Sequence, residues 1–164
     1  LCYFLQDAVT ASQFGLNLNK GILLTGPVGC GKTSLMFLMR LYMPFESRYN
    51  VKSCRDISFE FIKDGYPIIS KYSHQSFRQN QPLTYCFDDL GTENNLKYFG
   101  NECNVMAEIL LSRYDVYIAK RIQTHITTNL SASEIETQYG NRVRSRMRQM
   151  LNLIAYDKTT SDKR

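Results

Sequence analysis

The chain carries the stretch Gly26-Pro27-Val28-Gly29-Cys30-Gly31-Lys32-Thr33, which matches the pattern GxxxxGK[ST] at every fixed position. A short apolar run at 21–25 precedes it, and a helical pattern at 32–42 follows. Strand, glycine-rich turn and helix in this order are the context of a phosphate-binding loop, because glycines let backbone N–H groups turn toward phosphate oxygens. Lys32 would reach the β- and γ-phosphates, and the Thr33 hydroxyl would face Mg²⁺. The sequence therefore predicts a nucleotide site built from Gly26, Pro27, Val28, Gly29, Cys30, Gly31, Lys32, Thr33 and Ser34.

Short apolar runs alternate with longer helical patterns along the whole chain, which is typical of βαβ units and a parallel sheet. The predicted strands are 21–25, 50–55, 83–87, 122–129 and 151–156. The predicted helices are 1–14, 32–42, 56–64, 104–119, a short helix from Ser131 to Gly140, and 141–150. Asp56 is the expected N-cap of the third of these helices, and Pro67 is expected to end that element. Ser131 and Glu134 form a capping-box pattern.

Length and composition limit the class of protein. With 164 residues, 43% hydrophobic and 21% charged, the chain fits one globular domain. We expect a nucleotide-binding domain at 1–156 and a basic C-terminal tail at 157–164. The chain has no apolar stretch of about 18–20 residues, so an integral membrane protein is excluded. Five cysteines without a CxxC pair indicate neither a disulfide framework nor a zinc site, and they favour a reducing, cytoplasmic location.

The positive charge lies at one end of the chain. The net charge is +5, and residues 139–164 hold seven Lys or Arg against two Asp, while residues 1–138 hold thirteen of each sign. A basic segment on a neutral body suggests a face that meets an anion, either nucleic-acid phosphate or the phosphates of a nucleotide. A solvated charged tail is the alternative.

A pair of acids, Asp88 and Asp89, follows the apolar run 83–87, 56 residues after Lys32. In a βαβ chain this places them beside the strand that leads into the phosphate-binding loop. Asp88 would hold Mg²⁺, and Asp89 would orient or deprotonate the attacking water. A pair of acids that only caps a loop is the alternative.

Four motifs together, GPVGCGKT, FDDLG, ITTNL and YGNRVRSRM, resemble the AAA+ ATPases between about residues 19 and 156. The resemblance is to the branch that contains helicase loaders of the DnaC type and transposition helper ATPases of the IstB type. It implies a three-layer α/β P-loop NTPase fold with a five-stranded parallel sheet of order 5-1-4-3-2. It also implies ATP and Mg²⁺ as ligands, assembly as a homo-oligomer, and action on DNA or on a DNA-bound helicase or transposase. Because the chain stops soon after the fifth predicted strand, the helical lid of many AAA+ proteins is expected to be absent or vestigial.

The same resemblance assigns roles to three further residues. Asn129 matches the polar sensor at the end of the fourth strand, with Thr128 as the near alternative. Arg146 resembles the arginine finger that enters the ATP site of a neighbouring subunit, and Arg142 is a second candidate for such a role. Arg113 lies where the family also tends to carry a basic residue, without a role that follows from the sequence.

Helical periodicity divides the basic segment into two flanks. At 100° per residue Arg142 and Arg146 fall on one flank, whereas Arg144 and Arg148 fall on the opposite flank. The second pair is left for DNA phosphate or for a surface salt bridge. His74 and His125 are isolated histidines, and each is expected to be structural.

The sequence thus predicts an Mg²⁺-dependent ATPase that acts as a helicase loader or as a transposition helper. One alternative is a nucleotide-dependent binding switch with negligible hydrolysis. Another is a small-molecule or nucleotide kinase that uses the same loop, although such kinases usually carry their arginines in a mobile lid.

Overall fold

A central parallel sheet organises the computed structural model, which describes residues 1–78, 81–93, 96–98, 101–157, 159–160 and 162. Its strands are β1 (Gly21–Thr25), β2 (Asn50–Ser53), β3 (Tyr85–Leu90), β4 (Thr124–Thr128) and β5 (Leu151–Ala155). They pair in the order β5-β1-β4-β3-β2, all parallel, so the predicted fold class is confirmed. Two short antiparallel hairpins that the sequence did not predict join Phe77–Arg78 to Gln81–Pro82 and Leu96–Tyr98 to Asn101–Cys103.

Among the described residues, six α-helices surround the sheet. They are α1 (Ala8–Gln13), α2 (Lys32–Met39), α3 (Cys54–Asp64), α4 (Pro67–Tyr72), α5 (Val105–Lys120) and α6 (Ala132–Met150). Two 3₁₀ turns, Arg40–Tyr42 and Phe45–Ser47, follow α2. Within the described residues, no helix combines the length and the apolar character that crossing a bilayer requires.

Each face of the sheet has its own apolar core. Helices α3 to α6 bury one core, which includes Phe61, Phe87 and Ile109. Helix α2 and the N-terminal segment bury the other, which includes Ile22 and Met36. The two cores make a three-layer sandwich and fix α2 against the strand that precedes it.

The first residues differ from the predicted helix 1–14. Only Ala8–Gln13 is helical, and the residues before it form a turn in which Tyr3 and Phe4 are both buried. The Tyr3 hydroxyl donates to the carbonyl oxygen of Lys20 at 2.6 Å. The turn at the start of the chain directs the rings of Tyr3 and Phe4 into the core.

The boundaries of α3 and α4 also differ from the prediction. Ser53 caps α3, its hydroxyl accepting a hydrogen bond from the Asp56 N–H at 3.4 Å, so Asp56 lies in the first turn and is not the cap. Gly65, with φ of 72°, ends the helix. Pro67 begins α4, where its missing N–H costs no hydrogen bond.

Helix α6 consists of the two predicted helical segments, which meet at a kink. The capping box of Ser131 and Glu134 is confirmed at its start. Gly140 ends the first segment as predicted: its φ of 86° and ψ of 159° are not helical, and the second segment, at 141–150, begins directly after it. Val143 and Met147 then pack into the core, which holds the second half of α6 against the sheet.

Candidate functional site

The predicted phosphate-binding loop joins β1 to α2. Gly29 and Gly31 have φ of 79° and 90°, in the left-handed region that residues with a Cβ rarely adopt. The Lys32 ammonium lies across the loop, donating to the carbonyl oxygens of Gly26 at 2.9 Å and Pro27 at 2.8 Å. Lys32 is only 5% exposed, so its charge is directed into the loop and away from solvent.

The sequence predicted that the two acids follow a strand beside β1; instead they lie inside β3, and β4 separates β3 from β1. The register of β3 against β4 shifts between Phe87 and Leu90. Asp88 and Asp89 together therefore oppose the single residue Thr127, which is the geometry of a β-bulge. The bulge turns Asp89 to φ of 55° and gives the two carboxylates different directions.

The Asp88 carboxylate joins the loop to the sheet. The Thr33 hydroxyl lies 3.0 Å from both carboxylate oxygens, and the Thr127 hydroxyl donates to one of them at 2.6 Å. The hydroxyl of Thr33 and the carboxylate of Asp88 are oxygen ligands of the kind that Mg²⁺ takes from P-loop proteins, together with substrate phosphates and water. The donor set thus fits the predicted metal. Thr127 was missed because its role appears only when β4 lies beside the bulge.

Asp89 lies one residue further along and is half-buried. Its backbone N–H donates to the Thr127 hydroxyl at 2.9 Å, while its side chain lines an open cleft. Burial, followed by repulsion from Asp88, raises the pKa of Asp89, and Lys32 opposes this shift in part. A carboxyl with a raised pKa is a better proton acceptor near neutral pH than an ordinary aspartate.

A cleft of about 400 Å³ opens above the loop. Its lining comprises Val28, Gly29, Gly31, Lys32, Thr33, Ser34, Asp89, Thr92 and Asn129. All of these except Thr92 were predicted from the sequence. The alternative sensor Thr128 is buried and donates to the Leu90 carbonyl at 2.6 Å, so the structure brings Asn129 to the cleft and leaves Thr128 in the sheet.

The predicted site residue Cys30 and part of the predicted tail lie beside the cleft. Cys30 is buried beneath the loop. In the predicted basic tail, the Asp162 carboxylate lies against Gly29, where a Cβ would come within 2.1 Å of its Oδ1. The tail residues Lys158, Ser161, Lys163 and Arg164 lie outside the described residues.

The two arginines predicted to act on a neighbouring subunit lie away from the cleft. The Arg146 guanidinium packs on the ring of Tyr114 in α5, with its central carbon 4.4 Å from the ring centroid. One of its nitrogens donates to the Tyr114 hydroxyl at 3.1 Å. Arg142, one turn earlier, is exposed. Neither arginine is among the residues that line the cleft.

The opposite flank of α6 carries Arg144 and Arg148, as the helical periodicity predicted. Both border a second, mostly apolar groove of about 240 Å³ between α6 and the strands β1 and β5. Arg144 forms an ion pair with Glu136 at 2.7 Å, which agrees with the surface salt-bridge alternative for this residue.

Arg113 is a structural residue. It is fully buried and donates to the Thr124 hydroxyl at 2.8 Å, the Gln123 carbonyl at 2.7 Å and the Leu83 carbonyl at 3.1 Å. Burial lowers the pKa of Arg113 to about 10, so the side chain stays charged at neutral pH. It thereby ties α5 to the segments that enter β3 and β4.

His125 is buried in β4 and is structural as predicted. Its Nδ1 accepts a hydrogen bond from the Ile22 N–H at 3.1 Å, and the rings of Tyr3, Phe4 and Tyr49 surround it. Burial, with a smaller contribution from Arg113, lowers the pKa of His125 to about 3. His74 is exposed on the surface.

Sequence reasoning missed a buried link between the acidic strand and α6. Glu93 accepts hydrogen bonds from the Gly91 N–H at 3.0 Å and from the Tyr139 hydroxyl, and it is only 7% exposed. Burial raises the pKa of Glu93, although its hydrogen bonds lower it in part. The sequence did not indicate this contact, because Glu93 lies in a polar loop and its partner Tyr139 is 46 residues further along the chain.

The comparisons with known proteins support the fold. No family model and no curated protein matches the chain. Among solved structures, the DnaC helicase loader superposes with a TM-score of 0.62 at 20% identity, covering 93% of this chain and 89% of its own. A putative primosome component from Streptococcus pyogenes serotype M3 gives 0.61 at 18% identity, covering 96% and 78%.

A nucleotide-bound structure is also similar. The AMPPCP-bound DnaA from Aquifex aeolicus gives a TM-score of 0.59 at 16% identity, covering 93% of this chain and 44% of its own. At sequence identities of 16–20%, these similarities show a shared fold and nothing finer. The superpositions agree with the fold that the four sequence motifs imply, and the chain therefore shares the three-layer α/β fold of the DnaC helicase loader and the other matched structures.

Proposed function

We propose that this protein binds ATP with Mg²⁺ in the cleft above its phosphate-binding loop and hydrolyses it. We further propose that it acts as a homo-oligomer on DNA or on a DNA-bound partner, as a helicase loader or a transposition helper. The observation that carries the proposal is the Thr33–Asp88–Thr127 hydrogen-bond network, which joins the loop to the acidic strand directly beside Asp89 and Asn129.

Binding follows from the loop. Its backbone N–H groups and the N-terminus of α2 supply the positive end that phosphates require. Lys32 would exchange its two loop carbonyls for phosphate oxygens, and Thr33 and Asp88 would hold Mg²⁺. The metal would neutralise charge on the phosphates when bound. The Asp162 carboxylate beside Gly29 supports this reading, because the loop already accommodates an anionic group there.

Hydrolysis requires a group that orients and deprotonates water. Asp89 lines the cleft, and its raised pKa suits it as the proton acceptor. Asn129 lies in the same lining and would donate to the γ-phosphate or to the water. Both roles need only side chains that the cleft brings together.

The positions of Arg142 and Arg146 are the reason to propose that several copies of the chain assemble. Since Arg142 and Arg146 do not line their own cleft, either would act on the nucleotide of a neighbouring copy, as the family resemblance implies. Tyr114 would hold Arg146 until the neighbour docks. An arginine finger supplied in this way contributes roughly 10³–10⁵ in rate.

The test is ATP hydrolysis per subunit as a function of protein concentration, with and without single-stranded DNA, for wild type, Arg146→Ala and Arg148→Ala. We expect turnover per subunit to rise with concentration or DNA and to fall about 10³-fold in Arg146→Ala. Arg148→Ala is the matched control on the opposite flank and should keep wild-type turnover in the measurements without DNA.

Turnover that is independent of concentration and unchanged in Arg146→Ala would remove the oligomeric mechanism. If nucleotide binds under those conditions without turnover, the binding switch is the better description. The kinase alternative is tested by a screen for phosphoryl acceptors. It is disfavoured by the absence of arginine from the cleft's described lining.

Two related expectations stay predictions. We propose that residues 1–156 form the nucleotide-binding domain and that residues 157–164 are a tail outside it. We also propose a cytoplasmic location, based on the cysteine pattern in the sequence.

A further inference from the structure

The loop after the acidic pair forms one hydrogen-bonded unit with Asp89. The Thr92 hydroxyl and N–H both donate to the Asp89 carbonyl oxygen, at 2.8 and 3.2 Å. Glu93 then folds back to accept from the Gly91 N–H at 3.0 Å. Because these bonds span the whole segment from Asp89 to Glu93, a displacement of Asp89 displaces Glu93 with it.

Packing leaves this unit little freedom of its own. Gly91 has φ of 103°, and a Cβ there would lie 2.6 Å from Cδ1 of Leu130. The loop therefore lies close against the segment that carries Asn129. Thr92 and Asp89 both line the cleft, so nucleotide would contact this unit directly.

The other end of the link lies at the kink of α6. The Tyr139 hydroxyl donates to Glu93, and both side chains are buried. Tyr139 directly precedes Gly140, the one residue inside α6 whose φ and ψ are not helical. Residues 141–150, which carry Arg142 and Arg146, begin immediately after it. A glycine with positive φ between two helical segments can serve as a hinge, because it absorbs backbone rotation at low cost.

We propose that the hydrogen bond between Glu93 and Tyr139 transmits the nucleotide state of the cleft to the arginine-bearing half of α6. Glu93 and Tyr139 are positioning residues: neither lines the cleft, and they set the place of residues 141–150 relative to the acidic strand. The inference rests on the proposed function only in requiring that nucleotide binds in the cleft. It does not require hydrolysis. Coupling of this kind means that nucleotide interacts differently with two arrangements of the loop.

The test is hydrogen–deuterium exchange of residues 141–150, measured without nucleotide and with saturating Mg²⁺ and AMPPCP, whose binding is followed separately by calorimetry. In wild type we expect nucleotide to change the exchange rate of this segment at least about fivefold, the lower end of typical coupling between sites. In Tyr139→Phe, which removes only the hydroxyl, we expect that change to fall below about twofold, with AMPPCP affinity within about twofold of wild type.

A matched control is available in the chain. The Tyr72 hydroxyl also bonds a glutamate, Glu60, at 3.0 and 2.9 Å, between α4 and α3. Tyr72→Phe therefore makes the same chemical change away from the cleft and should keep the wild-type response. If Tyr139→Phe does not fold cooperatively, Glu93→Gln takes its place. Its amide oxygen can still accept from the Gly91 N–H, but its nitrogen must donate to the Tyr139 hydroxyl, which replaces a charge-assisted bond by a weaker neutral one, so we expect a smaller nucleotide response than in wild type.

The outcomes are distinct. Bound AMPPCP without any response of residues 141–150 in wild type would overturn the inference and leave the proposed function standing. An equal response in wild type and Tyr139→Phe would also overturn it, since the hydroxyl would then carry no coupling. Failure of wild type to bind AMPPCP would overturn the proposed function and this inference together.

Discussion

The polar interior of the sheet and the basic half of α6 hold their charged groups in opposite ways. At the sheet, Arg113 of α5 and Asp88 of β3 are buried, and each bonds groups of neighbouring elements. On α6, Arg142 is exposed, Arg146 rests on a tyrosine ring, and Arg144 pairs with a glutamate on its own helix. A buried charge must be satisfied within the chain, whereas a surface arginine needs little from it and is available to another molecule.

This difference separates residues that maintain the fold from residues that can act on a partner. The same guanidinium group appears in both regions, so residue type alone does not distinguish the two roles. The two roles are distinguished by the burial of the guanidinium group and by the number of acceptors that it contacts. Four substitutions test the distinction, beginning with the largest expected effect.

Arg113→Met should destabilise the protein most. It leaves the Leu83 and Gln123 carbonyls and the Thr124 hydroxyl without their donor, and each unsatisfied buried group costs about 1–3 kcal/mol. We expect the free energy of unfolding to fall by at least about 3 kcal/mol, measured by urea denaturation. Arg142→Met is the matched change on the exposed helix and should stay within about 0.5 kcal/mol of wild type. A loss below about 1 kcal/mol in Arg113→Met would show that water replaces the guanidinium.

Lys32→Met should weaken nucleotide binding without unfolding the protein. Removing one member of a buried charge pair costs about 2–5 kcal/mol, so we expect roughly a 100-fold loss of affinity for AMPPCP by calorimetric titration. Lys20→Met is the control, because its ammonium donates to the Arg148 carbonyl at 3.2 Å and does not line the cleft. In the same titration Arg146→Ala should bind as wild type does. Weakened binding at a protein concentration too low for subunits to associate would place Arg146 in its own cleft and contradict the comparison.

His125 should make stability depend on pH. In the folded protein its pKa is about 3, whereas the unfolded chain has the ordinary value of 6.5. The unfolded state therefore takes up a proton first as pH falls, and the free energy of unfolding decreases by about 1.4 kcal/mol per pH unit below 6.5. By pH 5 this contribution amounts to about 2 kcal/mol.

The variant that isolates this effect is His125→Asn, which keeps an acceptor for the Ile22 N–H but does not titrate. Asp89 and Glu93 act in the opposite sense, since their raised pKa values favour the folded state as pH falls. The useful measurement is thus the difference between the two unfolding curves at pH 7 and pH 5. A difference that does not change with pH would mean that the pKa of His125 is the same in the folded and unfolded states.

Glu136→Gln should have the smallest effect. The Arg144–Glu136 pair lies at the surface, with side chains 35% and 41% exposed, and such pairs contribute about 0.5 kcal/mol. We expect a loss of this size in low salt and none in 1 M NaCl, because salt screens exposed charges. A larger loss that persists in high salt would indicate that Arg144 belongs to the fold, like Arg113.

The sequence alone determined the framework and the contiguous part of the site. The glycine pattern and Lys32 are local signals, because adjacent residues make the loop and the first turn of α2 that follows it. Apolar runs of strand length between helical patterns gave the parallel sheet, and the motif resemblance gave its order. The two flanks of α6 could also be predicted, since they follow from position along a single helix, and the motif resemblance pointed to Asn129.

Only the tertiary structure decided which polar groups meet. Asp88 and Asp89 lie in a bulge because β4 pairs beside them, Thr127 becomes their partner through the same pairing, and Arg113 is buried because three segments supply its acceptors. The link from Glu93 to Tyr139 spans 46 residues and leaves no periodicity in the sequence. Short-range patterns record backbone conformation and burial. Hydrogen bonds between distant side chains depend on how the elements pack, and that is fixed only when the whole chain has folded.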